Sequence, residues 1–491
     1  MMDQVPTGWT TATLNDLTQL IVTGRRPKGG VRGISHGILS LGGEHVGING
    51  AVDLSTPRFI PETFARTINA ARLQTNDILV VKDGATTGKV ALTDARFDKE
   101  EAYVNEHVFL CRVAREIEPR LIFAFLRSAR GREAILSDFR GAAQGGISRQ
   151  FSDKVLIPIA PATEQRQIVV KIETLTDKAR RARDHLDHIP RLVEKYKQAV
   201  LKAAFLGHLT RDWRDKNPAQ AAEPLRQSLL RRRTEAEKAN KAKPTHFDFS
   251  PEEKLPSLPH SWTWMPVAAL ATKVVDGVHK KPQYVQQGIP FLTVRNLTAG
   301  VGITFDGCRF ISAEDHSEFI KRTDPEEGDI LITKDGTLGV VRAVRTNEVF
   351  SIFVSLALVK PIDRTMTDYL ELAFTSPVVQ QQMTGVGSGL QHIHLNDLRM
   401  DMIPVAPAGE RKEIVTRLRG ALAWIDRIAS EATSARRLID RLDQAVLAKA
   451  FRGELVPQDP ADEPASVLLD RIRAERGAMP RAKRGRKAKA G

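Results

Sequence analysis

With 491 residues and a formal net charge of +14, the chain exceeds the size at which one hydrophobic core keeps growing, so several domains are expected. No run of about 18 apolar residues is present to span a bilayer, and the start lacks a basic-then-apolar signal pattern, so no membrane association and a cytoplasmic location are expected. Cys111 and Cys308 are the only cysteines and are not at matched places in the repeat described below, which excludes a disulfide framework or a cysteine zinc site.

Charge alone does not identify a nucleic-acid reader. Residues 471–491 hold nine Lys/Arg against Glu475 alone, whereas residues 1–160 hold 20 basic and 17 acidic side chains and residues 259–403 hold 13 and 16. The second of these regions is net acidic, so any such reading must rest on local clusters. The tail itself reads equally as a solubilising end and as a non-specific phosphate binder.

In chain order, the sequence is one unit written twice. The first copy opens on Pro6-Thr-Gly-Trp9, passes through the basic loop Gly24-Arg-Arg-Pro-Lys-Gly-Gly30 with Arg32, and reaches a β-rich run, Ile78 to Val81, ending in Lys82-Asp83-Gly84. A strand is expected in Val104 to Val113 and a helix in Glu118 to Ser137. Ile157-Pro-Ile-Ala-Pro-Ala-Thr-Glu164 then leads into a long helical run closing on Gln198-Ala-Val-Leu-Lys-Ala-Ala-Phe-Leu-Gly-His-Leu209. The second copy answers with Pro259-His-Ser-Trp262, the loop Gly277-Val-His-Lys-Lys-Pro-Gln-Tyr284, and Ile330-Leu-Ile-Thr-Lys-Asp-Gly336. It continues through a strand in Val349 to Val359, a helix in Met366 to Met383, Ile403-Pro-Val-Ala-Pro-Ala-Gly-Glu410 and Gln444-Ala-Val-Leu-Ala-Lys-Ala-Phe-Arg-Gly-Glu-Leu455. Glu223-Pro224 and Glu463-Pro464 open matching Leu/Arg-rich stretches.

The offset between copies falls from 253 at Trp9 and Trp262 to 252 at Ile78 and Ile330 and 246 at Ile157 and Ile403, and stays at 246 to Gln198 and Gln444. Length drifts in the globular parts and is constant along the helices, as expected when a helix must keep register with another while loops tolerate insertion. The expected organisation is α+β with an internal pseudo-two-fold repeat. A mixed α/β head spans 1–160, a helix 161–207, a linker with a short helix 208–258, a second head 259–403, a second helix 404–453, and a short helix with a basic, disordered tail 454–491.

Along the first helix, Ile168, Ile172, Leu175, Ala179, Ala182, Leu186, Ile189, Val193, Tyr196 and Val200 alternate four-residue and three-residue steps. The positions 246 residues later, Ile414, Leu418, Ala421, Ile425, Ile428, Ala432, Ala435, Ile439, Leu442 and Val446, are all apolar too. Such spacing predicts a coiled coil in which each seam is buried on the other. At 1.5 Å per residue a helix from Thr163 to Leu206 would reach roughly 65 Å, the scale of a spacer. Thr163 and Gly409 stand where N-caps belong and Gly207 and Gly453 where the helices should stop. Pro190 should kink or break the first helix alone. Two helices packed inside ordinary domains are the other reading of this pattern.

Arg, Lys, His and Gln on Gly/Pro-punctuated loops suit base-edge contacts when a rigid scaffold positions them. The candidates in the first copy are Arg25, Arg26, Lys28, Arg32, Lys82, Gln144 and Arg149; in the second they are His279, Lys280, Lys281, Tyr284, Lys334, Gln391, His392 and His394. Any one alone reads equally as solvated surface; their matched placement carries the signal. Gly84-Ala-Thr-Thr-Gly-Lys89 looks like a phosphate-cradling loop, but it is one residue short and Val90 replaces the Mg²⁺-binding Ser/Thr. Its counterpart Gly336-Thr-Leu-Gly-Val-Val341 has no Lys. His185 and His188 correspond to Glu431 and Ser434, which argues against a metal site. No catalytic residue is identified.

The order basic loop, Gly288-Ile-Pro-Phe291, Gly328-Asp-Ile-Leu-Ile332, Lys-Asp-Gly, Ile-Pro-x-Ala-Pro and the paired helix endings resembles the specificity subunits of type I restriction-modification enzymes, over roughly residues 5 to 470. The first copy departs at Asn76-Asp77 and at Gly37-Ile-Leu-Ser40. The resemblance implies two target recognition domains, each reading half of a bipartite, asymmetric site in double-stranded DNA, with the helices packed antiparallel as a ruler. It also implies two methyltransferase subunits bound to the helices, motor-nuclease subunits, and S-adenosylmethionine, ATP and Mg²⁺ held by those partners, with no cofactor in this chain. A coiled-coil DNA-binding scaffold without base readout, and a nucleotide hydrolase using Gly84 to Lys89, are the competing readings.

Overall fold

The computed structural model describes all residues except 1–4, 142–144, 220, 240–242, 248, 250, 251, 253, 384–391 and 479–491. The basic tail expected beyond residue 478 lies outside the described residues. The fold is mixed α+β and divides into two units, Met1–Asp187 with Thr433–Gly491, and His188–Ala432. No helix among the described residues is long and apolar enough to cross a membrane.

In unit 1 the head is built on an antiparallel four-stranded sheet, in the order Thr18–Thr23, Val108–Val113, Ile78–Val81, Val90–Leu92. Ile78–Val81 is a continuous apolar run because both of its faces are covered. Ile78 and Val80 point with Phe109 and Cys111 into a core shared with the helices, while Leu79 and Val81 join Leu110 in a second core. A three-stranded sheet, Phe59–Ile60, Ile38–Leu41, Ala102–Val104, lines that second core. Thr10–Thr13 pairs antiparallel with Leu156–Ile159, so the chain leaves the head beside the place where it began. The helix expected in Glu118 to Ser137 is two, Pro119–Arg127 and Ala129–Leu136. They meet at Ser128, whose hydroxyl accepts from Gly131 N and caps the second.

The head of unit 2 repeats this plan. Its antiparallel sheet runs Ala271–Asp276, Leu356–Pro361, Ile330–Thr333, Val341–Ala343, and Thr263–Pro266 pairs with Met402–Val405. A second sheet runs Tyr284–Val285, Arg309–Ile311, Ile289–Leu292, Ser351–Ile352.

Outside the heads lie α1 (Ala162–Asp187), α2 (Ile189–Phe205), α3 (Ala222–Ala239), α4 (Ala408–Ala450) and α5 (Ala465–Ala478), with a short helix at Arg211–Lys216 between α2 and α3. Thr163 and Gly409 lie inside the first turns of α1 and α4, two residues beyond the N-cap position expected for them. Pro190 breaks the first helix into α1 and α2 and sits at the start of α2, where a missing N–H costs no internal bond. Gly207 and Gly453 have φ of +76° and +70°, the left-handed conformation that ends a helix. His208 N bonds Ala203 O at 2.8 Å and Glu454 N bonds Lys449 O at 3.0 Å, closing both ends alike.

One buried pair joins head and helix within each unit. Trp9 Nε1 donates to Glu164 Oε2 at 2.9 Å, and Trp262 Nε1 donates to Glu410 Oε2 at 2.8 Å. Glu410 also accepts from Thr210 Oγ1 (2.7 Å) and Arg214 Nε (3.0 Å). Glu164 Oε1 has no hydrogen-bond partner among the described residues, and burial raises its carboxyl above the usual range despite the Trp9 bond. The short helices close each unit: Ala465 N bonds Gly8 O in unit 1, and Ala222 N bonds His260 O in unit 2.

Of the expected seam, Ile168, Ile172, Ile414, Leu418 and Ile425 are buried, and Leu175, Leu186, Ile189, Val193, Ile428 and Ile439 are half-buried. Leu442 departs from the expectation and is exposed, as is Tyr196. Lys197 and Asp443 take the inward positions one residue on, and each makes an ion pair there. Within unit 1, Arg183 pairs with Asp440 and Asp443, and Arg436 pairs with Asp187. Within unit 2, Lys197 pairs with Asp426 and Arg417 with Asp212.

Candidate nucleic-acid interface

In head 1 the basic loop leaves the end of Thr18–Thr23 through Gly24. Its N–H bonds Asn105 O at 3.1 Å, and a Cβ there would lie 1.6 Å from Val104 O. Only glycine fits, so the loop is pinned where Arg25, Lys28 and Arg32 begin. These three cations are exposed and carry no ion pair among the described residues. Arg26 Nε reaches Glu106 Oε1 at 3.0 Å. The same turn brings in His107, whose Nδ1 is 2.5 Å from Asp83 Oδ1 and whose Nε2 is 3.3 Å from Glu106 Oε1.

Lys82 sits between two backbone bonds, Lys82 N to His107 O at 2.8 Å and Ile147 N to Lys82 O at 2.8 Å. Its ammonium is 3.9 Å from Asp83 and partly exposed. Arg149 is exposed on the segment that follows Ile147. That segment is anchored by Asp138, which accepts from Ser148 N and Oγ and from Lys154 Nζ. Burial pushes the Asp138 carboxyl up, but those bonds outweigh it and hold it at about 2. Gln144 lies outside the described residues.

Head 2 repeats the close approach at the glycine and both lysine backbone bonds, while Gly277 N bonds Leu356 O at 3.0 Å. A Cβ on Gly277 would lie 2.3 Å from Phe353 O. Lys334 N bonds Ser355 O at 2.9 Å, and Ile393 N bonds Lys334 O at 2.9 Å.

The side chains differ. Lys334, expected as a DNA contact, is only 8% exposed, and its Nζ lies 3.4 Å from Asp276 Oδ2. Arg322 Nη2 bonds Asp276 Oδ1 at 2.8 Å, and His279 Nε2 lies 3.3 Å from Asp276 Oδ2. Burial pushes the Asp276 carboxyl up, but Arg322 and Lys334 together hold it below its ordinary value. The Lys334 charge is therefore neutralised inside the head rather than presented to a ligand. Lys280 pairs with Glu318 at 3.0 Å, while Lys281 is exposed without an ion pair among the described residues. Tyr284 is exposed on one side and covered on the other by Arg309, whose guanidinium lies 4.7 Å from the ring centre. The His392 and His394 rings meet edge to face at 4.3 Å; Gln391 lies outside the described residues.

The sequence reading missed Asp83, Glu106 and His107 in head 1, and Asp276, Arg309 and Arg322 in head 2. Glu106, His107, Arg309 and Arg322 are distant in sequence from the loops they support, while Asp83 and Asp276 adjoin Lys82 and Gly277 but reveal their partners only in the fold. The stretch Gly84 to Lys89 is a β-hairpin turn between Ile78–Val81 and Val90–Leu92, with Thr87 Oγ1 bonded to Gly84 O at 2.6 Å. A phosphate-cradling loop would open a helix instead.

Residues 6–185 match the family model of the type I restriction modification DNA specificity domain. The chain is 24% identical to the EcoKI specificity subunit of Escherichia coli K12, with 99% of each chain aligned. It is 28% identical to the EcoBI specificity subunit of Escherichia coli over 69% of this chain and 68% of that one. The HsdS subunit from Thermoanaerobacter tengcongensis has the same fold, with a TM-score of 0.57 at 20% identity, covering 92% of this chain and 98% of that one. A family-model match within the first copy, curated similarity along the whole length and a shared fold agree: the chain is similar throughout to the specificity subunits of type I restriction-modification systems.

Proposed function

We propose that this chain is the non-catalytic, DNA-reading subunit of its complex, and that each head reads one half of a bipartite, asymmetric site in double-stranded DNA. One observation carries this: a single backbone frame occurs twice with unlike polar side chains mounted on it. Head 1 offers Arg25, Lys28, Arg32 and Lys82; head 2 offers His279, Lys281, Tyr284 and the His392/His394 pair. A rigid frame with different hydrogen-bonding groups selects different base edges, guanidinium groups favouring guanine O6 and N7.

The proposed domains are recognition heads over 1–160 and 259–403, spacers over 161–207 and 404–453, a linker over 208–258 and a closing segment over 454–491. The spacers act as an antiparallel coiled coil that sets the gap between half-sites. Within each unit, ion-paired residues support this, since one index rises as the other falls: Arg183 with Asp440 and Asp187 with Arg436, then Lys197 with Asp426 and Asp212 with Arg417. Two methyltransferase subunits bind the spacers and supply S-adenosylmethionine, and restriction subunits supply ATP- and Mg²⁺-dependent translocation and cleavage in the cytoplasm.

Mapping of methylated adenines tests the proposal. Exchanging residues 5–157 for the same region of a relative should change one half-site and leave the other. Inserting a heptad in each spacer should lengthen the gap alone. Sequence-independent binding at physiological salt would instead favour a scaffold without base readout.

A further inference from the structure

Each head holds a half-exposed arginine against a carboxylate beside its pinned glycine. In head 1, Arg26 stands two residues after Gly24, and its Nε lies 3.0 Å from Glu106 Oε1. Glu106 directly follows Asn105, whose carbonyl accepts from Gly24 N. In head 2, Asp276 directly precedes Gly277 and accepts twice from Arg322, Nη2 donating to Oδ1 at 2.8 Å and Nε to the backbone O at 3.5 Å. Arg322 lies on the turn that closes the helix Ala313–Phe319, its N–H bonded to Phe319 O at 3.0 Å. That helix backs the basic loop, since Glu318 pairs with Lys280 and Asp315 Oδ2 accepts from Gln283 N at 2.7 Å. The Arg26 and Arg322 side chains are 41% and 53% exposed, and neither makes another ion pair among the described residues.

The two pairs are not copies of each other. His107 and Ser355 occupy the same place in the frame, because the carbonyl of each accepts from the lysine N–H, so Glu106 answers to Val354. Asp276 answers to Thr23, and Arg26 to His279. The heads thus reach one arrangement from different residues, which duplication alone does not produce. In both, the acid takes the guanidinium by its Nε side, and Nη1 has no partner among the described residues. The edge formed by Nη1 and Nη2 therefore keeps two donors for a bidentate contact. A phosphate needs only positive charge within reach, which Arg25, Lys28, Arg32 and Lys281 supply with no carboxylate paired to them. An adjacent acid weakens that attraction. It instead fixes the plane and direction of the guanidinium before a ligand arrives, as a two-point contact with guanine O6 and N7 requires. We propose that Arg26 and Arg322 are the guanine-reading residues of heads 1 and 2, and that Glu106 and Asp276 are the positioning residues that aim them. The inference rests on the proposed function and assigns one base to one residue in each head.

The test is methylated-adenine mapping with the complete complex, run on variants whose hydrogen-exchange protection matches wild type in both units. Arg322→Gln should lower the preference for guanine at one position of one half-site by roughly tenfold or more, leaving the other half-site as it was. Arg26→Gln should do the same in the opposite half-site. Glu106→Ala should lower discrimination at the position Arg26 reads, and Glu106→Gln, which keeps an acceptor for Nε, should recover most of it. A merely structural role for Glu106 would lower methylation evenly over all sequences and would overturn its assignment. Arginine variants that weaken binding evenly, with the slope of log K against log salt reduced by about 1, would make these residues phosphate contacts and overturn the proposal. Half-sites left as in wild type by Arg26→Gln and Arg322→Gln, while exchange of residues 5–157 still changes one of them, would overturn it and leave the proposed function intact. If that exchange changes neither half-site, the proposed function and this inference fall together.

Discussion

Lys82 and Lys334 occupy the same backbone position in the two heads and have opposite fates. Lys82 is partly exposed with Asp83 3.9 Å away, whereas Lys334 is buried against Asp276. The difference originates at the strand end, where head 1 has Thr23 and head 2 has Asp276. The copies preserve how the chain is bent and pinned while redistributing charge, as the proposed reading of two different half-sites requires. It also explains how the second head is net acidic: part of its acid neutralises its own loop cations, as Glu318 does for Lys280.

The largest contrast is expected at the buried glutamates. Glu410→Ala strips Arg214, Thr210 and Trp262 of a shared partner and should destabilise unit 2 by about 3–5 kcal/mol, read as lost hydrogen-exchange protection confined to that unit. At the next position of contrast, head 1 has buried Val155 where head 2 has Asp401. Burial, with the nearby Asp397 charge, pushes the Asp401 carboxyl up to about 7 from 3.8, and its Oδ2 has no hydrogen-bond partner among the described residues. A carboxyl whose folded pKa lies above its unfolded value costs nothing below pH 4 and increasingly more from pH 4 to 7. Asp401→Val should therefore stabilise unit 2 by up to about 4 kcal/mol at pH 8, and the gain over its acid-pH value should vanish near pH 4.

Lys334→Ala should cost unit 2 about 1–3 kcal/mol by removing a buried partner of Asp276, without changing the salt dependence of DNA binding. Lys82→Ala should do the reverse, lowering the slope of log K against log salt by about 1. The smallest effect is expected for Glu164→Gln, which keeps an acceptor for Trp9 and removes a poorly satisfied charge. Its unit should change by less than about 1 kcal/mol, in contrast to the same unit-resolved exchange measurement on Glu410→Ala.

What was legible in the sequence is mostly local. Gly207 and Gly453 end helices because a left-handed residue is a property of one position. The departure at Asn76, where the second copy has Gly328, leaves the backbone unchanged: φ is +65° and +90°, and Asn tolerates that region better than most residues. The Trp–Glu pairs were invisible because their partners lie 155 and 148 residues apart, although both halves of each were noticed as repeated blocks. The seam was misread at Tyr196 and Leu442 because apolar spacing cannot reveal that an ion-paired Lys197 or Asp443 faces inward instead. Lys334 could not be recognised as internal without the fold that sets Asp276 beside it.

The most direct test replaces residues 5–157 with a second copy of residues 258–403 and maps the methylated adenines. If the spacers are antiparallel and each head reads a half-site as proposed, the site should become two inverted copies of the half-site assigned to head 2, the wild-type gap being kept. An unchanged asymmetric site, or two copies in direct rather than inverted orientation, would contradict the account.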